Sequence, residues 1–578
     1  MKIVSVTIHN FRSIKDAQFN LEDYSVLIGA NNQGKSNILR ALRIFYEYEK
    51  TKFNELDDFP KFPTSDHESW IDVEYKLSKE EYENLKDEYR LPNNTLKVRK
   101  YLLYEDRNLV RNNQSNIFGY TKNGLSETLF YGARNISQAK LGSALYIPDV
   151  MRTEDAFKTT GPSPFRNVLS FVMGKVIKKS EAYQTLQDSF REFNEKFSSE
   201  SSKDGYSLQE LEESINRELA EWNVKFHLEI KAIQSDEIIK DLVEHSLSDQ
   251  ELDQQIQIRN FGQGLQRYLI YTLIKISTQY VEKEESGKKE FNPDFTVILF
   301  EEPEAFLHPS QQEILNSTLY LLAKNSGQQV LTTTHSPTFV SKNIESISSL
   351  IRVEKREGST KLYQISPSAK EELIKSNDGL YTFLQEKSIA PEVPEEDKVA
   401  LKTLLRESDQ TARYEQEAIR YLMWLDAERC CSFFSDNVCI CEGQTEKRFI
   451  DYMIRNQWQD EFRTKKIYML ESGGKYHIHR FMNLFANLGI THSVLYDQDF
   501  QGNNKTAHKY INQFIINSKN SFTKKIDSFD QDIESFLELP DIAVPSDKKP
   551  LYLMWKYKRG EISEEKIDCL KEKIKGLF

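Results

Sequence analysis

The chain has 578 residues, 39% of them hydrophobic and 29% charged, and a formal net charge of -12. That length exceeds one hydrophobic core and predicts about three or four domains. The acidic balance argues against indiscriminate attraction to a polyanion, and no apolar run approaches the roughly 18 residues of a membrane span.

Nucleic acid stays open to such a chain where carboxylate-bound divalent metals supply the positive charge. The opening Met1–Val6 has the character of a strand rather than a signal peptide, which predicts a cytoplasmic protein. Five cysteines, Cys430, Cys431, Cys439, Cys441 and Cys569, make neither a disulfide framework nor a zinc spacing, and Cys439 and Cys441 belong to an expected buried strand. The basic stretches Lys97–Lys100, Lys175–Lys179 and Lys556–Arg559 are expected as solvated faces.

In chain order, alternation over Ile3–Ile8 predicts a strand, and Arg12 follows close in sequence to a glycine loop. The apolar run Ser25–Ile28 enters Gly29-Ala30-Asn31-Asn32-Gln33-Gly34-Lys35-Ser36, and a helix begins at Asn37. This is a complete P-loop in its strand-loop-helix context. Its backbone N–H groups curl around phosphate oxygens, Lys35 reaches the outer phosphates and Ser36 ligates magnesium. Arg12, Asn32, Gly34, Lys35, Ser36 and Asn37 are the nucleotide-binding candidates.

Strands from Trp70 to Leu77 and from Leu96 to Tyr104 predict an antiparallel lobe, and Leu145–Pro148 a further buried strand. From about 164 to 250, apolar residues fall at steps of three and four, as in Tyr183, Leu186, Phe190, Phe193 and Phe197, then Leu208, Leu211, Ile215 and Leu219. An inserted helical hairpin accounts for them, packed on its own protein or on a second copy. At Asn260–Arg267 a helix starts, running to Ile274, and Gly262, Gln263 and Gly264 give it a second phosphate-seeking surface. The strand Val297–Phe300 delivers Glu301 and Glu302 to the edge where an open α/β sheet places ligands, one to hold a magnesium shell and one to polarise water. A strand Gln329–Thr334 brings His335 to the same edge.

Together these four motifs resemble the ABC-type ATPase head of DNA-repair and chromosome-maintenance proteins. The resemblance implies that Glu301 is the magnesium-side acid, Glu302 the water activator and His335 the switch histidine. It also implies that Gly262 to Gln266 caps ATP held by the opposite subunit, with Gly262 standing where that wider family usually has serine.

A linker is expected from about Ala390 to Lys398, with helices up to Cys431 beyond it. The predicted strand Asn437–Cys441 ends at Glu442, and a glycine turn leads into a helix; if the turn feeds it directly, Glu442 and Glu446 face one site. Asp497 and Asp499 lie two apart at a strand end, which sends both carboxylates to one side. Hard oxygen ligands so gathered suit magnesium or manganese and phosphodiester cleavage. The pattern resembles the Toprim fold.

An ATPase head followed by Toprim resembles the OLD (overcoming lysogenization defect) family of nucleases, of the kind found in Gabija and retron antiphage systems. The resemblance implies an α/β chain with an ABC-type P-loop ATPase head in two parts, 1–163 and 251–390, around a helical dimerisation insertion at 164–250. Linker helices at 391–432 and a Toprim nuclease domain at 433–578 complete it. Glu442, Glu446, Asp497 and Asp499 match the metal-binding acids, Asp532 and Glu534 the third acidic motif, and Lys549, or its neighbour Lys548, the late catalytic lysine. Also implied are ATP, Mg2+ with Mn2+ as an alternative, DNA as substrate, a homodimer or larger oligomer, and a defence partner such as a helicase-like protein or a retron reverse transcriptase with its DNA-RNA product. The competing reading is a DNA-binding structural or repair ATPase with a non-cleaving Toprim module. A transporter ATPase has no use for Asp497 and Asp499, and a topoisomerase or primase needs domains for which the chain has no room.

Overall fold

The computed structural model describes residues 1–104, 110, 111, 114–148, 169, 180–199, 207–219, 224–227, 246–249, 254–262, 264–266, 268, 269, 272, 291–293, 295–305, 307–324, 327–342, 344–405, 410–499, 505–540 and 544–578. By contact the chain divides into one unit of residues 1–144, 289–304 and 309–578, and another of 145–288 and 305–308.

In the first unit, strand Tyr24–Ile28 has five consecutive buried residues, as a strand covered on both faces requires. It pairs in parallel with Gln328–Thr334 on one side and Leu350–Arg356 on the other. Strand Thr296–Glu301 lies beyond Gln328–Thr334, again parallel, and Ser359–Gln364 returns antiparallel along the other edge. Tyr24–Ile28 thus sits where connections diverge to both sides, so its carboxyl end opens onto a crevice, and the P-loop follows there. Gly29 has φ +149°, and a Cβ on it would stand 2.3 Å from the Val353 carbonyl oxygen; only glycine lets the loop start this close to the neighbouring strand.

The antiparallel lobe orders its strands Ile14–Asn20, Lys2–Phe11, Ser69–Lys76, Thr95–Leu103, Ile117–Thr121 and Gly124–Leu129. The side-chain amide of Gln329 ties it to the core, accepting from Ile3 N–H at 2.6 Å and donating to the Ile3 carbonyl at 2.9 Å. The basic stretch at 97–100 is no solvated face. Strand alternation sends Lys97 and Arg99 to Asp72, at 3.2 and 2.6 Å, and turns Lys100 inward to 5% exposure. The 175–179 stretch lies outside the described residues. At Lys556–Arg559 the chain is surface as expected, paired in part with Glu561.

The Toprim part is a parallel four-stranded sheet ordered Ile467–Glu471, Asn437–Cys441, His492–Asp497, Thr523–Phe529. Helices Gln444–Asn456, Ile478–Asn487 and Lys505–Asn517 connect the strands. Cys439 and Cys441 are fully buried in its core, as expected, and the five cysteines are all free. The segment expected as a linker is instead a tight connection between helices Pro367–Ile389 and Glu395–Leu404, with Val393 buried in the turn. Helix Gln410–Trp424 is held by two guanidinium-carboxylate forks, its Arg413 on Asp378 of Pro367–Ile389 (2.7 and 3.2 Å) and Arg480 of Ile478–Asn487 on its buried Glu417 (2.6 and 2.7 Å).

The hairpin formed by Leu350–Arg356 and Ser359–Gln364 touches both halves of this unit. Its Lys355 backbone N–H donates to the Gln33 side chain in the P-loop, and its Thr360 side-chain Oγ1 donates to the Gln33 carbonyl at 3.0 Å. On one side-chain face, buried Arg352 donates to the carbonyls of Phe433 (3.2 Å), Leu488 and Gly489 (both 3.1 Å), and Arg356 reaches the Gly489 carbonyl at 2.7 Å.

In the second unit, helices Glu181–Ser199 and Leu208–Glu218 agree with the predicted hairpin, and Leu186, Phe193, Phe197 and Leu211 are exposed. The strand expected at Leu145–Pro148 runs Ser143–Ile147 and is mostly half-buried rather than buried.

Gly489 carries φ +66°, and an added Cβ would lie 2.5 Å from the Tyr363 ring. Gly489→Ala is therefore expected to destabilise by about 2 kcal/mol or more in chemical denaturation. Gly560→Ala, at φ +72° with open space around it, is the control and should cost about 1 kcal/mol.

Candidate functional site

At the P-loop, Lys35 is 5% exposed and donates to the carbonyls of Gly29 (2.8 Å) and Ala30 (3.0 Å), with His335 Nε2 2.9 Å away. Burial pushes Lys35 down to about 8, against the charges of Glu302, Glu304 and Glu301. His335 Nε2 also lies 2.9 Å from Glu302 Oε1, and Ser36 Oγ donates to Glu301 Oε1. Lysine, serine, both glutamates and histidine thus meet at one sheet edge. Glu302 has φ 42°, a left-handed conformation held by its N–H on the Thr333 carbonyl at 3.1 Å. Arg12 Nε donates to Asp58 at 2.8 Å and its Nη1 to Asn37 at 3.3 Å; Asn37 in turn donates to Ser13. Asn32 and Gly34, like Gly29, take positive φ in the loop, at 64° and 109°. In the second unit, Gly262 accepts from Leu265 and Gln266 N–H, so the chain turns there into the helical residues 264–266; Gln263 lies outside the described residues.

Two groups of this site escaped the sequence reading. Half-buried Glu304 accepts from His335 N–H (2.6 Å) and Thr334 Oγ1 (2.7 Å), so it fixes the backbone that carries the histidine. Fully buried Asp58 takes bidentate Arg40 as well as Arg12. Neither lies in a motif, and only the fold brings it in.

In the Toprim part the sheet order again reverses beside its first strand, and Glu442 and Asp497 follow or end adjacent strands at that point. Asp497 N–H donates to Glu442 Oε2 at 3.3 Å. Glu446 is buried in the first turn of helix Gln444–Asn456 and accepts from Gly443 N–H at 3.0 Å, so the turn does feed directly into the helix. Asp499 stands beyond the strand at φ 51°, so its placement comes from that turn rather than from strand alternation. Asp532 caps helix Ile533–Phe536, and Lys549 Nζ lies 3.5 Å from Asp532 and 3.7 Å from Glu534. Lys548 is exposed and does not join them.

Burial pushes Asp497 well above the usual carboxylate range, and the charges of Glu446, Glu442, Asp499 and Asp532 add to the rise. Burial likewise raises Glu446, with Glu534 adding to it, and raises Glu534. Glu442 is pushed up to about 7 by burial, with Lys475 pulling the other way. Asp497 Oδ1 and Glu534 Oε1 are buried without a hydrogen bond. Crowded carboxylates with unmet oxygens are the donor set a hard divalent cation takes. Among the described residues, no three such groups already converge at ligand spacing. Two lysines hold them instead.

The second lysine is Lys475, 1% exposed, with Nζ 2.7 Å from Asp499, 3.8 Å from Glu442 and 3.1 Å from His508 Nδ1. Sequence reading missed it and His508. The available signal was Gly473-Gly474-Lys475, a glycine turn just after strand Ile467–Glu471.

Residues 1–204 and 164–340 match the AAA ATPase domain family, and residues 433–499 match the overcoming lysogenization defect protein-like TOPRIM domain. Fold and sites therefore define a P-loop ATPase joined to a Toprim domain. The chain belongs to the AAA ATPase domain family, and its Toprim part is similar to that of overcoming lysogenization defect proteins. The Old nuclease of Escherichia phage P2 is 24% identical over 525 residues, which cover 87% of this chain and 78% of that protein. Endonuclease GajA of Bacillus cereus strain VD045 is 22% identical over 537 residues, covering 87% and 75%. Among solved structures, an Smc head bound to the C-winged helix domain of ScpA aligns at TM-score 0.36 and 14% identity, over 64% of this chain and 99% of that one. An ATPase and a Toprim domain imply the use of nucleotide and divalent metal in general. Among the described residues, no helix is long and apolar enough to cross a membrane.

Glu442 binds its proton more tightly folded than unfolded, because its folded value near 7 stands above the ordinary 4.5. Its contribution to stability is thus full below about 4.5 and is lost as pH rises toward 7. In EDTA, thermal unfolding of Glu442→Gln is expected to gain on the parent progressively across that interval. A difference independent of pH would show that Glu442 is not raised.

Proposed function

We propose that the chain is a metal-dependent DNA endonuclease, with its Toprim cleavage regulated by ATP at the P-loop, acting as an antiphage defence effector in the cytoplasm. The observation that carries this reading is the half-buried Asp497 carboxylate, with one buried, unmet oxygen and four further carboxylates raising it. A non-cleaving phosphate-binding module has no need of so costly a cluster. The names of the two relatives, a nuclease and an endonuclease, support it.

Glu442, Glu446, Asp497, Asp499, Asp532 and Glu534 are the residues proposed to hold Mg2+ or Mn2+. Bound there, the ions supply Lewis-acid activation for phosphodiester hydrolysis. Lys549 balances the charge of Asp532 and Glu534 and stands ready to stabilise the phosphate, and Lys475 neutralises Asp499. On the ATPase side, Lys35 binds the outer phosphates of ATP, Ser36 and Glu301 hold its magnesium, Glu302 orients water and His335 senses the outer phosphate. Arg12, Asn32, Gly34 and Asn37 shape that pocket, and Gly262, Gln263 and Gly264 cap ATP of a second copy. The exposed Leu186, Phe193, Phe197 and Leu211 support a homodimer or larger oligomer through the insertion. A helicase-like protein or a reverse transcriptase with its DNA-RNA product is the proposed class of defence partner. Proposed domain limits are 1–163 and 251–390 for the ATPase, 164–250 for the insertion, 391–432 for the connecting helices and 433–578 for Toprim.

Supercoiled plasmid incubated with purified protein and magnesium or manganese is expected to be nicked or cut, and cutting should fall to background with EDTA or in Asp497→Ala. An Asp497→Ala protein as active as the parent would sink the nuclease assignment. The route for regulation is the hairpin between P-loop and Toprim. Arg356→Met is expected to abolish the effect of ATP on cutting, leaving ATP hydrolysis and ATP-free cutting within about twofold of the parent. An ATP effect of parental size in Arg356→Met would exclude this route.

A further inference from the structure

The antiparallel lobe holds a cavity of about 380 Å³ whose wall includes Ile44, at the carboxyl end of the P-loop helix Lys35–Phe45. Five cationic side chains line it, Lys50, Lys52, Lys100, Arg111 and Arg134, against one carboxylate, Glu47. In a chain of formal net charge -12, this is a concentration of the opposite sign.

The one carboxylate is already committed. Lys100, 5% exposed, donates to Glu47 Oε1 at 2.9 Å and to the Phe45 carbonyl at 3.1 Å. Ser115 Oγ donates to the same glutamate oxygen, and Ile136 N–H donates to the other at 3.2 Å. Against the upward push of burial, these groups hold Glu47 below the ordinary glutamate range, so it stays an anion spent on Lys100. Among the described residues, Lys50, Lys52, Arg111 and Arg134 are exposed and have no carboxylate partner. Surface lysines and arginines that serve only solubility are normally interspersed with acids, whereas these face one concavity.

The turn that carries part of this wall is strained. Glu47, Glu49 and Lys50 have φ of 53°, 50° and 58°, a conformation that L residues seldom adopt singly and here adopt three times in four residues. Such strain persists where surrounding structure holds it, and it gathers at ligand sites. The volume lies in the range of about 300 to 1,000 Å³ typical of small-molecule pockets. Arginine and lysine together match phosphate oxygens, the first through its planar fork and the second as a point charge.

We propose that this cavity binds a phosphate-bearing ligand of nucleotide size, at a site separate from the P-loop. The ligand is a free nucleotide or the phosphorylated end of a nucleic-acid strand, which share the same phosphate chemistry.

The test uses the full chain carrying Lys35→Ala, so that the P-loop is silent, in EDTA, so that no metal bridges DNA to the Toprim acids. ATP, a 5′-phosphorylated tetranucleotide and its unphosphorylated counterpart are titrated by calorimetry. One site per chain is expected for ATP or for the phosphorylated tetranucleotide, and none of that strength for the unphosphorylated one. Adding Lys52→Glu and Arg134→Glu should weaken the binding about tenfold or more. Both side chains are exposed, so the fold is expected to survive; Lys50→Gln with Arg111→Gln is the second pair should it not. Binding of ATP alone assigns the site to free nucleotide, and binding of the phosphorylated tetranucleotide alone assigns it to a strand end. Absence of binding by either, or binding that neither pair weakens, overturns the proposal.

Discussion

A buried guanidinium has to satisfy its donors or unfold its surroundings, and Arg352, at 3% exposure, does so on backbone carbonyls of the Toprim part. Its own strand pairs directly with the strand that leads into the P-loop. One side chain thereby fixes the Toprim sheet against the ATPase sheet. Arg356 and Glu354 on the same face complete the joint, and the Tyr363 ring closes over Gly489. The P-loop and the Toprim part are consequently joined through one set of hydrogen-bonded side chains.

The two sites solve the same problem with opposite charge. Each lies where a parallel sheet reverses its strand order, so that neighbouring loops part and leave a crevice. At the P-loop, a buried lysine lies among glutamates. In the Toprim part, crowded carboxylates lie against two lysines. Burial disfavours the charged form in both, since Lys35 is pushed down and Asp497 up, as is common at functional sites.

What could be read in the sequence is what chemistry requires at fixed spacing. The P-loop, the Glu301-Glu302 pair, His335, Glu442 and Asp497 follow strands whose apolar runs announce themselves, and the structure brings each set together. Partners from distant segments were illegible. Asp58 meets Arg12 from 46 residues away, and Lys475 meets Asp499 across 24. Glu304 sits next to a motif, yet its role appears only when its carboxylate is seen on the His335 backbone. The stretch Lys97–Lys100 misled because composition suggested a surface, whereas a central strand pointed alternate residues at Asp72 and into the core. The 390–398 segment misled likewise, since proline and glutamate mark a helix start as readily as a flexible tether.

The joint between the halves depends on a period of two. Arg352, Glu354 and Arg356 address the Toprim part because they occupy alternate positions, while Ile351, Val353 and Lys355 fall between them. A single residue inserted or deleted before Arg352 would exchange the two sets, presenting aliphatic Ile351 and Val353 to carbonyls that need donors. The hairpin can therefore drift in sequence far more freely than in length, and during descent gaps should be rarer here than in the loops on either side.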